Sequence, residues 1–266
     1  MKKILITGGN GYLAKNISAN LKGDHKIRLL TRRDVDLTDS YSVFKWFQNN
    51  ITFDAVIHTA VTGGRRTGVQ NSGKPTPPDA EVIDQNLRMY YNLLECKNFY
   101  KKFIHLGSGA EKINAEDPYV ISKKIINKSI SIKDNFYNIR IYSVFDENEQ
   151  DDRFIKGSLL KYVNNEEMSV YCNKKMDFFY MQDFLSIVRY YVENEAPPKE
   201  VDCSYSEAKS LYDIAKYINT LGEHSVNIDR HLKTQQDYCG NFIDLGLNYV
   251  GLYGGIKQVY EKILKQ

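Results

Sequence analysis

The sequence predicts an α/β fold: a doubly wound parallel sheet followed by a smaller C-terminal part. Three observations carry this reading. Short apolar runs of strand length alternate with segments of helical period through the first half of the chain. A glycine cluster, Gly8-Gly9-Asn10-Gly11, separates the first apolar run from the first helical segment. Beyond about Phe145 the alternation weakens, and the polar run DENEQDD opens a stretch of different rhythm.

Ile4-Leu5-Ile6 lies in an expected strand at Lys3–Thr7, and Leu13, Ile17 and Leu21 recur at helical spacing over Tyr12–Leu21. Further strands are expected at Lys26–Leu30, Ala55–His58, Phe103–Leu106 and Tyr137–Tyr142, with helices at Ser40–Asn49, Val82–Tyr100 and Tyr119–Lys133. Alternation of this kind implies a parallel sheet covered on both faces. Thr62–Pro78, with TGGRRTGVQNSGKPTPP, reads as a long loop of the kind that is often functional. Later elements are a helix at Phe154–Val163, a strand at Phe178–Met181 and a helix at Phe184–Tyr191. The Ala196-Pro197-Pro198 turn then separates these from helices near Leu211–Leu221 and Gly255–Leu264. The expected division is a nucleotide-binding domain over 1–145, completed by about 178–200, and a smaller substrate-binding part over 146–177 and 201–266.

Composition excludes several classes. The chain has 266 residues, 42% hydrophobic and 26% charged, which suits a globular protein with a substantial core. No apolar run approaches the roughly 18 residues of a membrane span. MKK followed by ILIT is too short for a signal-peptide apolar region, so a cytoplasmic protein is expected, with no membrane partner. The net charge of +3 is spread along the chain, which gives no reason to expect nucleic acid. Cys96, Cys172, Cys203 and Cys239 show no C-x-x-C spacing, so neither a metal site nor a disulfide framework is expected.

A strand, a glycine-rich turn and a helix in that order aim the helix's first N–H groups at whatever sits over the turn, and a pyrophosphate suits that position. T-G-G-x-G-x-x-A carries Ala14 where a stricter fingerprint has its third glycine. Arg32 and Arg33 follow the second strand, where an acidic residue would hold the ribose of NAD and a cation the extra phosphate of NADP. Carbonyl reduction also needs a proton donor, and a tyrosine serves when a nearby cation acidifies its phenol. Tyr119 and Lys123, four apart in PYVISK, share one helix face. The same spacing occurs at Tyr41/Lys45, Tyr171/Lys175, Tyr205/Lys209, Tyr212/Lys216 and Tyr253/Lys257, so spacing alone decides nothing. Context selects Tyr119: Pro118 precedes it, and the strand FIHLGS ends just upstream at Ser108, at the carboxyl end where open sheets bind ligands. The structural alternative is that Ser108 caps a turn and that Tyr119 and Lys123 lie on the surface. Asn86 is a candidate for ordering the site or for satisfying backbone groups, and His58 is assigned to the core.

Taken in order, TGGNGYLAKN, the HTA at 58–60, the LGS ending at Ser108 and the YVISK from Tyr119 resemble the motifs of extended short-chain dehydrogenase/reductases, of the NAD-dependent epimerase/dehydratase family, that act on nucleotide sugars. The most similar branch is the GDP-fucose synthases, which epimerise and reduce GDP-4-keto-6-deoxymannose. TRRDVDLTD at Thr31–Asp39 and AVTGG at Ala60–Gly64 look like segments of that branch. The likeness is good over about residues 1–145 and looser beyond, where DFFYMQD at Asp177–Asp183 is similar to the strand at the family's domain junction. The resemblance implies a Rossmann-type domain, NADP(H) as cofactor, a nucleotide-diphosphate sugar as substrate, and Ser108, Tyr119 and Lys123 as catalytic residues. It implies cofactor contacts at Gly8, Asn10, Gly11, Tyr12 and Leu13, at Arg32, Arg33, Asp36 and Leu37, at Thr59 and Ala60, and at Tyr119 and Lys123. Gly109, Arg153, Lys156 and Lys175 are the expected substrate contacts, and a homodimer is the candidate assembly.

The departures from that pattern are specific. GDP-fucose synthases carry a cysteine two positions after the serine, where this chain has Ala110, and a histidine near the start of the following domain's first helix, where it has Asp152, Arg153 and Phe154. Dehydratases carry Asp-Glu after the active-site hydroxyl, where this chain has Gly109 and Ala110. The interval from Ser108 to Tyr119 is short for an extended member. The expected activity is therefore NADPH-dependent reduction of a keto group, at C4, of a nucleotide-diphosphate keto-deoxy sugar without epimerisation. The alternatives are a 4-epimerase that retains its cofactor and a non-catalytic NADP sensor.

Overall fold

The computed structural model describes residues 1–63, 79–113, 115–231 and 233–265. In chain order its elements are β1 (Lys3–Thr7), α1 (Tyr12–Leu21), β2 (Lys26–Leu30), α2 (Ser40–Gln48), β3 (Phe53–His58), α3 (Asp79–Glu95), β4 (Tyr100–Ser108), α4 (Pro118–Ser131) and β5 (Phe136–Ile141). There follow β6 (Val144–Phe145), α5 (Phe154–Val163), β7 (Met168–Val170), β8 (Phe179–Tyr180), α6 (Met181–Glu193), β9 (Glu200–Asp202), α7 (Leu211–Ile218), β10 (Ile228–Arg230) and α8 (Leu252–Ile263). They form two compact units, residues 1–140 with 188–200 and residues 141–187 with 201–266. Residues 141–145 and 178–187, expected with the first domain, thus group with the second unit.

The first unit is built on a sheet of order β2-β1-β3-β4-β5-β9. β1 pairs in parallel with both β2 and β3, and β3 with β4, the register joining Thr7 to His58 and His58 to His105. Every residue of β3 except Asp54 is buried, the near-continuous apolar run of a strand covered on both faces. α1 sinks Ala14, Ile17 and Leu21, one stripe at helical spacing. α2 starts at Asp39, whose side chain accepts the Tyr41 and Ser42 N–H groups, and it buries Val43 and Phe47. Leu5, Val56, Tyr90, Leu93, Phe103 and Phe136 meet these in one core.

The helix expected to run to Tyr100 stops at Glu95. A 3-10 turn, Lys97–Phe99, intervenes, and Tyr100 opens β4 opposite Phe53. Tyr100 keeps its aromatic ring in the core by donating its hydroxyl back to Leu93 O at 2.7 Å, a tertiary contact that overrides the apolar helical period. Of the expected Thr62–Pro78 loop, 64–78 lies outside the described residues.

The second unit has its own core, in which Phe145, Leu159, Tyr162, Met168, Leu211, Ile214, Ile256 and Val259 are buried together. Its strands are very short: β7 pairs in parallel with β10, and β6 with β8. Met181, expected to end a strand, opens α6. Among the described residues no helix is long and apolar enough to cross a membrane.

Candidate active site

The turn after β1 is shaped for close approach. Gly8 holds φ at +67°, a conformation that favours glycine, and a Cβ there would stand 2.9 Å from the Ala60 backbone. Gly11 N–H donates to Gly8 O at 2.8 Å, and Gly11 then caps α1 with no side-chain hydrogen bond and no acidic residue in the helix's first turn. The helix N-terminus is thus left with donors and no competing anion, which fits a pyrophosphate. The tight packing expected of a third glycine falls to Gly9, whose Cβ would lie 2.9 Å from Leu29 Cβ, while Ala14 is buried. Asn10 and Gly11 are exposed, and Tyr12 and Leu13 are half-buried.

The ends of β1 and β3 are stitched together by Thr7. Its Oγ1 accepts N–H groups from Thr59 (3.2 Å) and Ala60 (3.3 Å), and Thr59 Oγ1 donates to Thr7 O at 2.7 Å. With both lone pairs used, the Thr7 hydroxyl donates to His58 Nδ1 at 2.8 Å, which leaves the ring proton on Nε2. After β2, Asp34 accepts from the Thr31 N–H and hydroxyl and pairs with Arg28 at 2.9 Å. Arg32 and Arg33 are exposed beside it. Asp36 accepts from the Thr38 N–H and hydroxyl, which holds its carboxyl below the ordinary value with a smaller contribution from Arg32; Leu37 is buried. Three residues on from Asp36, Asp39 caps α2.

Ser108 ends β4 and caps the 3-10 turn Gly109–Lys112, its Oγ accepting the Ala110 N–H at 3.2 Å. That bond uses a lone pair and leaves the hydroxyl proton for a carbonyl, so capping and substrate contact are compatible. Tyr119 stands in the first turn of α4, which Asp117 caps and Pro118 opens. One turn on, Lys123 is only 4% exposed. Its Nζ donates to Leu106 O at 2.7 Å, meets His105 Nε2 at 3.3 Å, and lies 5.7 Å from the centre of the Tyr119 ring. Burial brings its pKa down to about 8, against the pull of Glu111. Asn86 anchors this helix: it brackets the Thr62 backbone through both amide atoms and donates to Ser122 Oγ at 3.0 Å. Among the described residues no group of three or more His, Cys, Asp or Glu is arranged to hold a metal.

Across residues 4–204 the sequence matches the model of the NAD dependent epimerase/dehydratase family. The chain belongs to that family. It is an enzyme of the short-chain dehydrogenase/reductase type. No curated protein matches it significantly. Among solved structures it is similar to UDP-glucose 4-epimerase from Thermotoga maritima with UDP-glucose, at TM-score 0.78 and 16% identity over 99% of both chains. It is similar to GDP-L-fucose synthetase from Naegleria fowleri bound to NADP, at 0.73 and 18% over 99% of this chain and 93% of that one. GDP-mannoheptose C4 reductase from Campylobacter jejuni with NADP bound gives 0.78 and 18% over 98% of each. At these identities the likeness is one of fold.

Three residues form a buried network at the Ser108 backbone that the sequence motifs do not single out. Glu111 accepts the Ser108 N–H at 2.8 Å and pairs with Arg140 at 3.0 Å, and both side chains are at most 5% exposed. Asn138 donates to the same carboxyl at 2.9 Å. Burial raises the Glu111 pKa while the Ser108 N–H, Lys123 and Arg140 hold it down. Ser108-Gly109-Ala110-Glu111 is a capping box, a signal visible in the sequence.

Of the expected substrate contacts, Gly109 is buried in the first unit. The others lie in the second. Arg153 occupies the N-cap of α5, reaches Ser143 Oγ at 3.0 Å and lies 3.7 Å from Glu149. Lys156 is committed internally, to Glu149 O at 2.9 Å and Asp151 at 2.8 Å. Lys175 is exposed.

Proposed function

We propose that the protein reduces the C4 keto group of a nucleotide-diphosphate keto-deoxy sugar with NADPH and leaves the neighbouring stereocentres unchanged. The observation that carries the reading is the buried Lys123 ammonium, pinned to Leu106 O beside the Tyr119 ring on the helix that follows Ser108. The cradle at Gly8 fits a dinucleotide, and Arg32 and Arg33 are the side chains for the 2′-phosphate. NADPH supplies the hydride. Ser108 Oγ–H donates to the carbonyl oxygen, and Tyr119 delivers the proton that oxygen gains. The Lys123 charge favours release of that proton from the phenol and holds the cofactor's ribose. The first unit binds NADPH and carries the reacting groups. Arg153 and Lys175 of the second unit are the candidates for the diphosphate; Lys156 is less available because Asp151 already neutralises it.

Inverting a carbon beside the ketone requires one group to remove a proton and another to return it. Ala110 carries no ionisable group, and its N–H is turned to Ser108. His58 and His105 are buried in the first unit's sheet, and His224 is stacked on Tyr162. The test is turnover of GDP-, dTDP-, UDP- and CDP-4-keto sugars with NADPH in deuterated water. Stoichiometric NADPH consumption without enzyme-dependent deuterium at C3 or C5 is expected. Interconversion of the corresponding 4-hydroxy sugar nucleotides with no net cofactor consumption would replace this reading with a 4-epimerase, and deuterium at C3 or C5 of the 4-keto substrates would end the reductase-only assignment.

A further inference from the structure

Directly beneath Lys123, on β4, lies a histidine that neither packing nor the proposed chemistry above explains. His105 is 1% exposed and flanked by Ile104 and Leu106, at a sheet position an apolar side chain would fill without desolvating an imidazole. It stacks on His58 with ring centres 5.5 Å apart and planes 29° apart, and Thr7 fixes His58 in turn. Its Nε2 is 3.3 Å from Lys123 Nζ, and its Nδ1 has no hydrogen-bond partner among the described residues.

We propose that His105 is a positioning residue for Lys123, its neutral ring accepting a hydrogen bond at Nε2 and, together with Leu106 O, fixing two of the three N–H directions of the ammonium. The inference rests on the catalytic role proposed for Lys123. An ammonium has donors only, so Nε2 must present its lone pair and the ring proton must sit on Nδ1. That tautomer leaves a buried N–H unpaired, a cost that only the bond to Lys123 accounts for. Neutrality follows from the surroundings. Burial, then Lys123 and His58, push the His105 pKa well below its ordinary value.

Among the described residues the groups facing Lys123 are few. β4 contributes His105 and Leu106 O, the 3-10 turn contributes Glu111, and Tyr119 lies on its own helix; His58 and Arg140 act from one layer further, through His105 and Glu111. Glu111 is the counter-charge, and His105 is a neutral acceptor that sets direction and further stabilises the charged form. Removing the acceptor therefore makes Lys123 lose its proton at lower pH.

The wild-type protein supplies the first test, by long-range ¹⁵N–¹H NMR of its imidazoles. His105 is expected with its proton on Nδ1 at pH 7; a proton on Nε2, or an imidazolium, would overturn the proposal. The second test follows the Lys123 Cε resonance of the cofactor-free protein and NADPH affinity as pH rises, with Lys123→Met as control. Loss of one charge-assisted hydrogen bond in His105→Phe is expected to move both transitions down by about one pH unit. His105→Gln, whose Oε1 accepts in the same direction, should restore them. A wild-type midpoint in His105→Phe, with Lys123→Met abolishing the binding transition, would sink the role of His105 alone. If Lys123→Met binds NADPH like wild type at every pH, the proposed function itself fails and takes this inference with it.

Discussion

Tyr119 and Lys123 show what a single side chain reveals in sequence and what it does not. Lys45 lies 5.7 Å from the Tyr41 ring centre, the same separation as Lys123 from Tyr119. Spacing and distance are alike in the two pairs, but Tyr41 is 69% exposed while Lys123 is 4% exposed. Burial is a tertiary property that the motif does not display; Pro118 and the position of Ser108 at a strand end are the sequence features that set Tyr119 apart. Tyr119→Phe is expected to keep the fold and NADPH binding while lowering turnover about 100-fold or more, since proton donation alone is removed. Tyr212→Phe, in a pair of like spacing on α7, should leave turnover within about twofold. Comparable losses in the two variants would show that the phenol of Tyr119 has no special role. Arg32→Ala tests the cofactor. Loss of a charge-assisted contact to the 2′-phosphate should weaken NADPH about 10-fold or more and NADH little, and equal weakening in binding titrations would remove the NADP assignment.

At the scale of elements, β1, α1 and β2 fall where their apolar patterns put them, because each pattern coincides with what the sheet buries. α3 ends before its apolar period does, because the anchoring of Tyr100 to Leu93 is not encoded in periodicity. The β4 turn was half legible. Ser108 and Glu111 form a readable box, but the pairing of Glu111 with Arg140 joins residues far apart in sequence. That pairing explains Gly107. A Cβ there would lie 2.3 Å from Asn138 Oδ1 and 2.4 Å from Glu111 Oε1, both inside the buried network. Gly107→Ala should therefore destabilise by about 1–3 kcal/mol in urea unfolding, through overpacking, and displace Ser108 with it. Unchanged stability with full turnover would mean that the network yields more easily than its burial implies.

The whole molecule divides into a legible half and an obscure one, and strand length is the reason. β1 and β3 span five and six residues, enough for a pattern to stand out, whereas β6 and β8 span two each and β7 and β10 three. Two or three residues are too few for an alternation to stand out from chance. The second unit also carries a charge its sequence does not betray. Glu149, in DENEQDD, reads as a solvated acid, yet its side chain is 5% exposed and Oε1 has no partner among the described residues. Burial lifts its pKa to about 8, with Arg153 opposing. A carboxyl raised on folding remains protonated where the unfolded chain has already ionised, so its contribution to stability falls from about pH 4.5 and levels off above about 8. Asp177, raised to about 6 by burial, acts the same way over a lower range. His58, depressed to about 3 by burial, opposes both up to about pH 6.5, because protonating it in the unfolded chain favours unfolding. Lys102 and Lys123, each lowered to about 8 by burial, reverse the trend at higher pH. Between about 6.5 and 8 Glu149 therefore dominates these shifts, and the cofactor-free protein should lose melting temperature across that interval. Glu149→Gln isolates the effect, since the other groups cancel in the difference between variant and wild type. The variant's advantage in Tm should grow steadily from pH 5 to 8 and then hold constant. It should exceed about 3 °C at pH 8, given that one kcal/mol moves Tm by about 2–4 °C in a chain of this size. A difference that does not change with pH would show that Glu149 titrates as an ordinary surface acid.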